Sequence, residues 1–132
     1  MALTVLDAGV IIALLDGRDA HHSSAKAALH ECRDRRDEVV VPASAYAEIL
    51  VGPYRHDVSA VGTVDSFLDA LPARVEPISR AIAAEAAQLR AKHDALRLPD
   101  ALVIATALAL QADVILTTDR RWPKVKVRVD VI

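Results

Sequence analysis

Residues 96–119, LRLPDALVIATALALQADVILTTD, place a helix and a strand back to back. Between Asp100 and Asp113 there is no charged residue. Pro99 suits a first helical turn, and a helix that is apolar all round is a buried one. DVILTTD, 113–119, holds a short continuous apolar run, the pattern of a strand covered on both faces. A buried helix feeding a buried strand is a unit of a parallel α/β sheet.

The same alternation extends outward through the chain. LTVLD, 3–7, reads as a buried strand, followed by a short apolar helix through Leu15. After the turn at GRD, residues 20–36 read as a helix and VVVP, 39–42, as a second strand. ASAYAEILVG, 43–52, is expected to be helical and to stop at Gly52 and Pro53. Residues 58–71 carry Val61, Val64, Phe67, Leu68 and Leu71 on one side of a helix, and RVEPI, 74–78, is a third strand. A long helix follows over 78–96, and then the helix at 99–111. KVKVRVDVI, 124–132, alternates as an edge strand does. The expected fold is α/β, with a mostly parallel central sheet flanked by helices in three layers, and residues 1–132 form a single domain.

Composition is compatible with this. The chain is 53% hydrophobic but only 3% aromatic, so Ala, Leu and Val must fill the core. A domain of this size buries roughly two-thirds of its unfolded surface and needs no covalent staples. The single cysteine, Cys32, excludes an internal disulfide. MALTVLDAGVIIALL lacks a basic start and carries Asp7, unlike a signal peptide, and no uncharged run reaches the 18 or more residues of a membrane span. A cytoplasmic protein is expected. The net charge of −2 gives no global attraction to nucleic acid.

Most of the 18 acidic residues sit among polar neighbours. Four do not. Asp7 ends the first strand, Glu48 lies in the apolar helix ASAYAEILVG, Asp100 heads the buried helix, and Asp119 closes VILTTD. Ligands of parallel sheets bind beyond the carboxyl ends of the strands, where Asp7 and Asp119 fall and where Glu48 and Asp100 can converge. Close carboxylates do not all stay ionised without a positive partner. All-oxygen ligation suits Mg²⁺ or Mn²⁺.

The series LDAGVIIALLD, SAYAEILVG, LRLPDALVIATALAL and ILTTDRRW resembles the PIN-domain family, and within it the VapC toxins of bacterial toxin–antitoxin pairs. The resemblance runs in order over nearly the whole chain. It implies a Rossmann-like sheet and a Mg²⁺- or Mn²⁺-dependent ribonuclease with Asp7, Glu48, Asp100 and Asp119 as catalytic and metal-holding residues. It also implies a homodimer, a cognate antitoxin protein, and DNA contact only through that antitoxin. Family members commonly carry Thr or Ser one and two residues after the first Asp. Here Ala8 and Gly9 stand there, with Thr117 or Thr118 as partial substitutes.

A polyanion needs a basic rim around such a site. Arg97, Arg120, Arg121 and Thr118 are the substrate-binding candidates, with Lys124, Arg90, Lys92 and His93 nearby. Trp122 either stacks on a base or packs against the domain. His21 and His22 read as exposed helix-start residues and Cys32 as a partly buried helix residue. The apolar residues of 58–71 and those around Tyr46, Ile49 and Leu50 are expected to serve a dimer or an antitoxin helix. An aspartyl phosphotransferase would show a second Asp where Gly9 stands. A binding module that cleaves nothing is the remaining rival.

Overall fold

A computed structural model describes residues 2–132. Among these, five strands form one sheet in the order β3-β2-β1-β4-β5, and every adjacent pair is parallel. The strands are β1 (Leu3–Leu6), β2 (Glu38–Pro42), β3 (Ala73–Glu76), β4 (Val114–Thr117) and β5 (Arg128–Val131). The helices are α1 (Ala8–Leu15), α2 (His22–Asp34), α3 (Ala43–His56), α4 (Ser59–Ala70), α5 (Arg80–Lys92) and α6 (Leu98–Ala109). This is the expected parallel α/β architecture. Strand order reverses at β1, which pairs Val5 with Val40 of β2 on one side and with Ile115 of β4 on the other.

The uninterrupted apolar runs are the interior strands. Val5, Leu6, Val40, Val41 and Ile115 are fully buried. α6 is buried along most of its length, from Ala101 through Ala107, as its lack of charge requires. None of the helices among the described residues is long and apolar enough to cross a membrane.

Several boundaries differ from expectation. α3 continues through Gly52 and Pro53 to His56. Pro53 costs the helix the hydrogen bond to the Ile49 carbonyl, and it falls in a last turn that lies in solvent, with residues 51, 52 and 54–56 exposed. α2 starts at His22 and ends at Asp34, with Arg36 in the left-handed region at φ 58°. His22 is not a free helix-start residue, because its Nδ1 lies 2.8 Å from the Ala13 carbonyl oxygen and ties α2 to α1. α5 stops at Lys92, and the turn after it buries Leu96. Only 128–131 of the alternating C-terminal segment is strand, the edge strand β5. Asp37 is not simply solvated: it accepts from the Ala2 N–H at 2.9 Å and pairs with Arg35.

The apolar stripe of 58–71 belongs to the domain itself. Val64 and Leu68 are buried, Phe67 and Leu71 pack on the same core, and Ile49 of α3 is buried with them. The exposed apolar side chains of this region are Val51, Tyr54 and Val58.

Candidate active site

The loops and helix starts at the carboxyl ends of β1 and β4 carry three of the four singled-out acids. The Asp7 N–H extends the β1–β4 ladder by donating to the Leu116 carbonyl at 3.0 Å. The Asp7 side chain caps α1, its Oδ1 accepting from the Ala8 N–H at 2.8 Å, as an N-cap aspartate does. Its other oxygen accepts the Thr117 hydroxyl at 2.8 Å. Thr117, fully buried, also accepts the Asp119 N–H at 3.1 Å. One hydroxyl therefore links two of the acids.

Asp100 lies in the first turn of α6 and is 7% exposed. Arg97, three residues earlier, approaches its Oδ2 at 3.4 Å. Asp119 sits two residues beyond β4 and turns back on Arg121. It accepts from the Arg121 N–H at 2.8 Å and from the guanidinium at 3.2 Å through both oxygens. Glu48 is exposed on α3, a helix that packs on both α1 and α6.

The electrostatics show these acids acting on one another. Burial pushes the Asp7 carboxyl above its ordinary range, and Asp100 and Asp119 add to the rise. Glu48 is raised by desolvation and then by Asp7 and Asp100, despite its exposed outer face. Asp100 is raised by burial, partly offset by Arg97. Only Asp119 is lowered, chiefly by its hydrogen bonds from Arg121. Three of the four carboxyls thus bind protons more tightly than usual, chiefly because they are desolvated and secondarily because they stand near one another.

Among the described residues, no three His, Cys, Asp or Glu side chains stand close enough to form a ready-made metal cage. Each of three acids has another partner: Arg97 holds Asp100, Arg121 holds Asp119, and Thr117 with the α1 N-terminus holds Asp7. The donor set still fits a hard divalent cation, because every donor is a carboxylate oxygen and the four acids outnumber the two arginines paired with them.

Arg97 and Arg121, read from sequence as rim cations, are instead ion-paired to the acids. Their spacings, three and two residues from an acid, were the available signal. Arg120 is exposed, and no ion pair involves it among the described residues. Trp122 packs partly buried against the core. With Leu96, Arg97, Asp100, Asp119 and Arg121 it lines a cavity of 200 Å³. Gly9 explains itself by proximity. A Cβ there would stand closer than 3.0 Å to Thr118 Oγ1, so the Thr118 hydroxyl occupies the space of a residue-9 side chain.

The PIN domain family model matches residues 4–128. The chain belongs to the PIN domain family. Solved structures share this PIN fold over most of their length. A toxin–antitoxin complex from Klebsiella pneumoniae is 24% identical at a TM-score of 0.69, with 89% of this chain and 88% of that one covered. VapBC2 from Rickettsia felis, bound to a promoter DNA fragment, is 13% identical at 0.76, covering 98% of each chain. VapC20 from Mycobacterium tuberculosis, a Sarcin-Ricin loop cleaving toxin, is 17% identical at 0.69, covering 85% and 86%. No curated protein sequence matches this PIN domain.

Proposed function

We propose that this PIN domain is a divalent-metal-dependent endoribonuclease, the toxin of a VapC-type toxin–antitoxin pair. The observation that carries the reading is the gathering of Asp7, Asp100 and Asp119 at the carboxyl edge of a parallel sheet, with Glu48 of α3 within electrostatic reach of Asp7 and Asp100. The fold likeness to toxin–antitoxin proteins supports an antitoxin partner; a cytoplasmic setting, a homodimer and DNA contact only through the antitoxin complete the proposed reading.

Asp7, Asp100, Asp119 and Glu48 would hold Mg²⁺ or Mn²⁺. A bound divalent cation supplies charge to neutralise a phosphodiester and to acidify water. Asp7 is the fixed member, held by Ala8 and Thr117. Glu48 is exposed and its carboxyl is raised, which makes it the group best suited to take a proton from an attacking water. Arg120 and Thr118 stand beside the acids as contacts for the substrate phosphates, and Arg97 and Arg121 would join them only on releasing Asp100 and Asp119.

A PIN module that binds without cutting is the second reading, suggested by the missing hydroxyls at Ala8 and Gly9. Thr117, bonded to Asp7, and Thr118, filling the Gly9 space, weigh against it. The test is cleavage of cellular RNA by partner-free protein with Mg²⁺, Mn²⁺ or EDTA, beside Asp100→Asn. Metal-dependent cutting that the variant loses is expected. Equal cutting by the variant overturns the assignment of the acids, and no cutting by the folded wild type favours the binding module.

A further inference from the structure

Two of the cations nearest the acids are already committed, which leaves Arg120, among the described residues, alone beside them and raises the question of what attracts a polyanion to an acidic site. Arg97 and Arg121 are paired to Asp100 and Asp119. The uncommitted cations lie next door. A groove of 1060 Å³ runs beside α5 and the segment before β5, with Lys92, His93, Lys124 and Lys126 along it. All three lysines are exposed, and none takes part in an ion pair among the described residues. Glu85 is the acid in the lining. The half-buried Leu89, Leu108 and Val125 give the groove an apolar floor.

The groove adjoins the acid cavity. His93 of the groove is two residues from Ala95 of the cavity, and Lys124 is two residues from Trp122. We propose that this lysine groove binds the backbone of single-stranded RNA and feeds it to the acids. The choice of RNA as ligand rests on the nuclease reading above. A positively charged groove tracks the backbone of a single strand; here the lysines would take the phosphates and the aliphatic floor of Leu89, Leu108 and Val125 would lie against the sugars. Division of labour follows: the groove supplies affinity, and the acid cavity, its own arginines neutralised, supplies little.

The test uses the metal-free full chain in EDTA and a fluorescein-labelled 12-nucleotide single-stranded RNA. Binding is measured between 50 and 200 mM salt for wild type and for K92A/K124A/K126A. Each lost phosphate contact removes about 0.7 from the log–log salt slope for a single strand, so the triple variant is expected to bind more weakly with a slope shallower by about 2. Equal slopes, or no RNA binding by wild type, overturn the groove. Metal-dependent cutting is scored separately. Wild type that fails to cut while the slope still falls in the triple variant supports the groove and refutes the nuclease reading alone.

Discussion

Gly9 and Thr118 are coupled by a contact that a single methyl group would expose. Gly9 sits in the first turn of α1, where alanine is favoured over glycine by about 0.8–1.0 kcal/mol. A Cβ at position 9 would meet Thr118 Oγ1 closer than 3.0 Å, while Thr118 Cβ and Cγ2 would lie at the ordinary separations of 3.7 and 3.8 Å. The clash is with the γ-oxygen alone. Threonine is stiff at χ1, so relief must come partly from the loop that carries Asp119, at the ~1–3 kcal/mol typical of overpacking. Gly9→Ala alone should therefore be neutral to destabilising by about 2 kcal/mol. In a Thr118→Ala background the obstacle is gone, and Gly9→Ala should stabilise by about 1 kcal/mol. Thr118→Val keeps the bulk and should keep the penalty. Urea denaturation of the double-mutant cycle reads the coupling, expected at about 1–3 kcal/mol. Additive effects, with Gly9→Ala costing the same in all three backgrounds, would refute the reasoning.

Other consequences follow from the same site. Asp7 is raised, so the folded protein binds its proton more tightly than the unfolded chain does. That contribution is fully present below the unfolded pKa of about 3.9 and is lost as pH rises through the folded value. Asp7→Asn should thus gain stability relative to wild type between about pH 4 and neutrality; urea midpoints that keep a constant difference across that range would contradict it. Thr117→Val preserves shape but strips the Asp7 oxygen and the Asp119 N–H of their shared partner. A loss of about 2 kcal/mol is expected in thermal or urea unfolding, and an unchanged midpoint would show the hydroxyl to be dispensable. Arg121→Ala removes a competitor for Asp119 at an exposed position. Stability should move by less than about 1 kcal/mol while Mn²⁺ binds more tightly, as titration calorimetry would show.

The fold was legible because burial leaves a plain mark on sequence. β1, β2 and β4 are continuous apolar runs, and α6 carries no charge after its first turn, so their positions follow from composition alone. Where exposure relaxes the rules, the reading slipped. α3 crosses Gly52 and Pro53 because its last turn lies in solvent. The stripe of α4 looked spare because the sequence does not show that α3 is laid against it.

The acids were legible for a related reason. A carboxylate in apolar company is costly, and so Asp7, Glu48, Asp100 and Asp119 stood out. Their counter-charges did not, because Arg97 and Arg121 look like any surface arginine until the local turns fold them back. The meeting of Gly9 with Thr118 depends on β1 and β4 lying side by side, which no local pattern records.

Metal binding tests the central claim most directly. Mn²⁺ titrated into metal-free wild type and into the Asp7→Asn/Asp100→Asn variant, followed by calorimetry in buffers of differing ionisation enthalpy, reports both uptake and proton release. The four-carboxylate account predicts saturable Mn²⁺ binding by wild type that weakens, with growing proton release, as the pH is lowered, because carboxyls must give up protons to ligate, and loss of that binding in the variant. No saturable binding by wild type, or the same binding by the variant, would contradict it.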